Sequence, residues 1–155
     1  MDKTIQEKLM RIAMAEAEKA IQAGNSPFGA LLVAPDGSVI ERAYNTEWTD
    51  NDPTAHAEMN LIRKAVRMLG TTDLSPYYLV CNAQSCSMCF SAAIKCNIQN
   101  YVFGADSEGH MNPNLTVYDL AKYAQTELVI HSGVLKEQCR RQINEAREST
   151  DRQFT

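Results

Sequence analysis

PYYLVCNAQSCSMCFSAAIKC, residues 76–96, changes its period halfway along. Pro76 to Asn82 is a short run rich in aromatic and branched side chains, which predicts a strand. Ser87 to Cys96 has the spacing of a short helix with a face of small residues. A strand that feeds a helix through a few residues is half of a crossover, and a crossover returns the next strand parallel to the first. Downstream, Asn100 to Gly104 predicts a further strand, Leu115 to Ala124 a weaker helix after Pro113, and Glu127 to Ile130 another strand. Leu135, Cys139, Ile143 and Ala146 mark a last helix, and the chain from Ser149 is polar.

Upstream, Met59, Ile62, Val66 and Leu69 recur at helical spacing, with Thr54 as the candidate cap and Gly70 as the stop. Before them a polar loop runs from Asn45 to Pro53. Phe28 to Ala34 and Ser38 to Tyr44 flank Pro35-Asp36-Gly37, which predicts a β-hairpin. The first helix carries Ile5, Leu9, Ile12, Ala13 and Ala20 on one side. Thr4 with Glu7 reads as its capping box, and Gly24-Asn25 as its end. The expected fold is α/β: a three-layer α/β/α sandwich on a five-stranded mixed sheet, antiparallel at the first pair and parallel afterwards. Residues 1–155 are expected to form one domain, with 149–155 as a polar tail. Ligands of such sheets lie beyond the carboxyl ends of the strands, where helices begin.

The bulk composition narrows the function. Hydrophobic residues make up 45% and charged ones 22% of 155 residues, which fits a soluble globular chain with one core. A net charge of −4 counts against a nucleic acid partner without excluding a local basic patch. No apolar run approaches the roughly 20 residues that span a bilayer. Residues 1–8 show no signal-peptide pattern, so a cytoplasmic location is the default. Five cysteines in such a chain point to metal ligands or catalytic groups rather than to a disulfide framework.

Two short segments supply metal-binding chemistry. His56-Ala57-Glu58 opens the second helix and Cys86-Ser87-Met88-Cys89 opens the third. Cysteines three apart lie about 60° apart around a helix, so both sulfurs can face one point. His56 and Glu58 would lie about 200° apart on a regular helix. They share a site only if His56 sits at an irregular helix start. Three such ligands leave one position of a zinc tetrahedron for water, with Glu58 free to carry protons. A structural zinc site would need a fourth ligand, for which Cys81, Cys96, Cys139, His110 and His131 are the candidates. Cys81, Cys86 and Cys89 also have a Cys-x4-Cys-x2-Cys iron–sulfur spacing. Against that reading, Cys81 falls on a predicted strand, and Cys96 lies about 10 Å along the helix from Cys89.

These motifs resemble the signature of the cytidine and deoxycytidylate deaminase superfamily, His-x-Glu followed by Pro-Cys-x-x-Cys. Asn25 to Ala30, Asp52 to Glu58 and Cys86 to Cys89 look most like bacterial guanine deaminases. Similar segments occur in tRNA adenosine deaminases and, less closely, in fungal cytosine deaminases. The resemblance implies one zinc ion per chain on His56, Cys86 and Cys89, and a hydrolytic deamination in which Glu58 moves the protons and ammonia leaves. It implies substrate contacts from the backbone N–H groups of Ala57 and Cys86, from Asn45 and from Phe28. The bland alternatives are a turn residue for Asn45 and a core residue for Phe28. Asp106 is a candidate at the pocket rim. The expected substrate is a small-molecule base, guanine first. Adenosine in tRNA is the alternative, with cytosine, a nucleoside or an amino-triazine as variants. A non-catalytic zinc protein is the non-enzyme reading. A homodimer is implied as well, and in guanine deaminases the C-terminal segment crosses to the partner, which directs attention to Phe154.

The chain also departs from the signature. Ser85 stands in place of its proline, and Gln84 in place of the glutamate usual before it. Both bear on substrate more than on zinc. Trp48 is a pocket or interface candidate. Arg140, Arg141 and Arg147 read as a solvated face, or as phosphate contacts in a tRNA-acting enzyme. His110 and His131 read as structural or exposed.

Overall fold

The computed structural model describes residues 1–150. Most of the predicted polar tail, Phe154 included, lies outside the described residues.

Helix α1 (Lys3–Gln22) is capped by Asp2, whose Oδ1 accepts from the Ile5 N–H at 2.9 Å. This corrects the predicted Thr4 capping box: Thr4 lies inside the first turn, and the acceptor two residues earlier takes the free N–H. The helix ends at Gly24, as expected. Gly24 has φ +85°, and the Asn25 N–H returns to the Ala20 carbonyl. Strands β1 (Gly29–Val33) and β2 (Val39–Tyr44) form the predicted hairpin about Gly37, which has φ +88°. There follow α2 (Ala57–Leu69), β3 (Tyr78–Ala83), α3 (Ser87–Lys95) and β4 (Asn100–Ala105). The chain continues through α4 (Val117–Ala121), β5 (Val129–His131) and α5 (Lys136–Glu148). Helix α4 is shorter than predicted and opens on a capping box between Thr116 and Asp119.

The sheet order is β2-β1-β3-β4-β5. β3–β4 and β4–β5 pair parallel, as expected. The expectation of parallel pairing throughout after the hairpin needs correcting, because β3 pairs with β1, and antiparallel. The crossover through α2 does run β2 and β3 in one direction, but it skips a strand position, which β1 fills.

Alternation along the strands divides the core into two layers. Ala30, Leu32, Leu79, Cys81, Tyr101 and Phe103 face α2, α3 and α4. Leu31, Val33, Val80 and Val102 face α1 and α5, meeting Leu9, Met10, Ala13, Cys139 and Ile143. With both faces covered, β1 is buried at every position, which is why its sequence reads as an unbroken apolar run. The three-layer arrangement leaves the starts of α2 and α3 side by side, past the carboxyl end of β3. No helix among the described residues is long and apolar enough to cross a membrane.

Candidate active site

Two helix starts form the site. His56 is the N-cap of α2 with φ −69° and ψ 157°, and Cys86 the N-cap of α3 with φ −70° and ψ 169°. Neither side chain caps its own helix. The extended backbone at His56 removes the 200° conflict with Glu58 that a regular helix would impose. Thr54 is not the cap: its N–H and hydroxyl both donate to Asp52 Oδ1 at 2.8 Å, which shapes the loop ahead of the helix.

Cys86 Sγ lies 3.4 Å from His56 Nδ1. With Cys89 Sγ, the three ligand atoms all fall within 4.8 Å of one another. Tetrahedral zinc at about 2.3 Å from sulfur and 2.0–2.1 Å from nitrogen separates its ligand atoms by roughly 3.5–4 Å. Two thiolates and an imidazole at these spacings therefore fit zinc. Cys81 stands outside the group; its thiol interacts with Ser85 and Glu58. Cys96 caps the far end of α3. The side chains needed for a fourth thiolate or a cluster are thus engaged or remote.

The electrostatics match the donor set. The Cys89 thiol bonded to Cys86 and the His56 imidazolium bring the Cys86 pKa down to about 4, against its burial. Burial works against the charged form of His56, but Cys86, Glu58 and Glu47 outweigh it and push its pKa up to about 9. Cys89 is held well above the usual thiol range by its bond to Cys86 and by burial. Burial foremost, and then the Cys86 thiolate, raise Glu58. A carboxyl with a raised pKa beside the metal ligands is suited to taking up and returning a proton.

Glu47 stands behind the imidazole. Its Oε2 lies 3.9 Å from His56 Nε2, and its Oε1 accepts from the Ser26 hydroxyl and from Asn45 Nδ2 at 3.1 Å. His56 therefore turns Nδ1 toward the candidate metal site and Nε2 toward a carboxylate 3.9 Å away, the side from which a carboxylate can orient a metal-bound histidine.

A cavity of about 30 Å³, room for a water or two, is lined by His56, Glu58, Cys86, Phe28 and Gln84 among others. Phe28, Ala83 and Gln84 also line a neighbouring cavity that reaches Asp106, Arg140 and Arg147. These three residues form the wall between the two cavities.

A model of the family described as "Cytidine and deoxycytidylate deaminase zinc-binding region" matches residues 3–105. The chain belongs to this deaminase family. It is 36% identical over 137 residues to the tRNA-specific adenosine deaminase of Bacillus subtilis, covering 88% of this chain and 84% of that protein. It is 40% identical over 87 residues to the guanine deaminase of the same organism, covering 56% and 55%. Among solved structures, a tRNA:A34 deaminase studied for A-to-I editing at the wobble position of transfer RNA superposes with a TM-score of 0.76. The two are 30% identical, and the match covers 86% of this chain and 96% of that one.

Within this deaminase chain, the predicted residues divide into those at the metal site and those beside it. His56, Glu58, Cys86 and Cys89 converge, with Ala57 at the start of α2. Phe28, half-buried, lines both cavities and also packs against both core layers, so the two readings of it coexist. Asn45 is buried and forms a turn: its Oδ1 accepts from the Glu47 N–H at 3.0 Å. Asp106 lies on the neighbouring cavity and pairs with Lys136 at 2.6 Å. Arg140 pairs with Glu108 at 2.7 Å. His110 and His131 are exposed, as expected, and Trp48 is 46% exposed. Sequence reasoning missed Glu47, one acid in a polar loop with nothing to single it out. It also missed Asn82, whose side chain ties the end of β3 to the Gly29 N–H and the Pro27 carbonyl.

Proposed function

We propose that this chain is a zinc-dependent aminohydrolase acting on adenosine in transfer RNA, with His56, Cys86 and Cys89 holding one zinc ion. The observation that carries this reading is the 137-residue similarity to a tRNA-specific adenosine deaminase across most of both chains. Free guanine, expected first from the short motifs, has the narrower support of an 87-residue match. It stays as the second reading because the cavity beside the site is lined by acids as well as bases, with Asp106 and Glu108 near Arg140 and Arg147.

Zinc bound to these three ligands supplies the Lewis acidity that lowers the pKa of a water to about 7. Glu58 takes a proton from the attacking water through its carboxylate and delivers it to the ring nitrogen beside the aminated carbon. Glu58 then takes the remaining proton from the hydroxyl now on the ring carbon and passes it to the amine; the C–N bond breaks, the C=O bond forms and ammonia leaves. Overall, water and the aminated ring give the oxo ring and ammonia. Phe28 packs on the ring. The N–H groups of Ala57 and Cys86, left without carbonyl partners by their place at helix starts, hold it from the edge. Asn45 and Asp106 complete the proposed contacts, Asn45 at the base and Asp106 further out in the neighbouring cavity. A homodimer forms part of the same proposal.

The test is incubation of the zinc-loaded protein with an anticodon stem-loop RNA carrying adenosine at the wobble position, and in parallel with guanine. Inosine in the digested RNA supports the reading. Xanthine and ammonia from guanine, with no inosine, would replace it by the second.

A further inference from the structure

The sequence average hides a concentration of positive charge. A groove of about 510 Å³ between α1, β2 and α2 is lined by Lys19, Arg42, Arg63, Lys64 and Arg67. Only two acids line it, Glu16 and Asp50, in a chain whose net charge is −4. Both are already engaged. Glu16 is almost fully buried and takes Lys19 at 2.8 Å and Arg42 at 3.9 Å, while Asp50 accepts from the Thr46 hydroxyl. Lys64 is held by Glu41 at 3.1 Å. Arg63 and Arg67 differ. Both are exposed, and among the described residues neither has a carboxylate within ion-pair distance. Arg63 makes a long contact to the Thr54 hydroxyl, at 3.4 Å, and feels the Asp52 carboxylate from beyond ion-pair distance. Like charges four apart on a helix disfavour it by a few tenths of a kcal/mol; Arg67 offsets this from the last turn of α2, where a cation meets the helix dipole, but nothing in the fold calls for Arg63 beside it.

The groove and the site border the same loop. Asn60, on its wall, donates to the Tyr44 carbonyl at 3.0 Å and to the Thr46 hydroxyl at 2.9 Å. Those residues begin the loop whose other side presents Glu47 to His56. From there α2 carries Arg63 and Arg67 away from the metal ligands, about 6 Å apart along the axis. Tyr44, half-buried, lines the same groove and offers an aromatic ring beside the cations, the combination that single-stranded nucleic acid favours.

We propose that this groove seats the phosphodiester backbone of the RNA, with Arg63 and Arg67 on successive phosphates and the target nucleotide passing the loop at residues 45–55 into the site. The inference rests on the reading of RNA as substrate. It adds where the strand lies.

The experiment measures binding of the zinc-loaded full chain to a fluorescent anticodon stem-loop RNA by anisotropy, at several salt concentrations. The proteins compared are the natural chain, Arg63→Glu/Arg67→Glu and Arg63→Lys/Arg67→Lys. The expected result is a loss of about tenfold or more for the double Glu variant near 0.1 M salt. The slope of log affinity against log salt should flatten by roughly two, with near-natural behaviour for the Lys variant. Zinc content and melting temperature, unchanged by substitutions at exposed positions, verify the fold. An unchanged affinity and slope in the double Glu variant overturns the proposal, as does an absence of RNA binding by the natural chain. A change of oligomeric state with RNA binding intact also overturns it, and assigns the groove to a protein interface. Inosine formation separates the two claims. RNA held through the groove without inosine sinks the substrate reading alone, and inosine made equally well by the double Glu variant with an unchanged salt slope sinks the groove alone.

Discussion

The Ser85 hydroxyl donates a 2.9 Å hydrogen bond to Glu58 Oε1, and both side chains are buried. Ser85 occupies the position where the family signature has proline, a residue with no hydroxyl to offer. In this chain the proposed proton carrier is therefore held from the side by the residue next to Cys86, a proposed metal ligand. A hydrogen bond to a charged group contributes about 1.5–3 kcal/mol when its loss leaves the group unsatisfied. Ser85→Ala is expected to lower kcat by about tenfold or more, to leave KM within about twofold, and to leave zinc content unchanged. Ser85→Thr keeps the hydroxyl and should retain most of the activity. Steady-state kinetics with metal analysis of the same samples decide it. A rise in KM at constant kcat would show that Ser85 acts on substrate binding instead.

How much of this was legible in the sequence depends on how local each feature is. His56, Glu58, Cys86 and Cys89 sit in two short segments at helix starts; spacing set the two sulfurs facing one point, whereas His56 and Glu58 share a site only because His56 is extended ahead of its helix. The hairpin announced itself through Pro35-Asp36-Gly37, and the layers through the alternation of strands and helices after it. The neighbour of β3 was not legible, because a crossover sets direction and leaves open how many strand positions it skips. Glu47 reaches Ser26 and His56 across the fold, and no periodicity marks such a contact. The basic groove draws Lys19, Arg42 and Arg63 from three separate elements, so a net charge of −4 concealed it.

Glu47 places a carboxylate 3.9 Å behind the imidazole, and its removal should act through the metal. Carboxylates that hold a ligating histidine contribute about 10–100-fold in metal affinity or activity. Glu47→Gln keeps the shape and the contacts from Ser26 and Asn45 but removes the negative charge near His56 Nε2. Zinc affinity, measured by competition with a coloured chelator, is expected to fall by about tenfold or more. An unchanged affinity would mean that the 3.9 Å approach to His56 is too loose to matter.

The ligands and the proton carrier should separate cleanly on mutation. Glu58→Gln is nearly isosteric and is expected to keep about one zinc per chain while losing roughly 10²–10⁴-fold in kcat. His56→Ala and Cys89→Ala should lose both zinc and thermal stability, since metal binding is coupled to folding. Metal content by mass spectrometry and melting curves with and without chelator give the comparison. Full zinc occupancy in Cys89→Ala would show that the Cys86 and Cys89 pair is not the metal's thiolate pair.

Zinc binding must also move protons, and their number follows from the site's own electrostatics. In the metal-free site Cys86 is already a thiolate at pH 7, because its pKa lies near 4. His56, with its pKa near 9, carries a proton at pH 7, and so does Cys89, held well above the usual thiol range. Zinc requires a neutral imidazole and two thiolates. Binding at pH 7 should therefore release about two protons, one from His56 and one from Cys89. The metal-free form is the one that holds more protons, so zinc affinity rises with pH. The stabilisation by zinc weakens as pH falls, and above the His56 pKa near 9 the release drops to about one proton. Calorimetric zinc titrations of chelator-treated protein, in buffers of different ionisation enthalpy, count the protons directly. Release of three at pH 7 would mean that Cys86 enters as a thiol beside a protonated His56, against the low pKa assigned to Cys86.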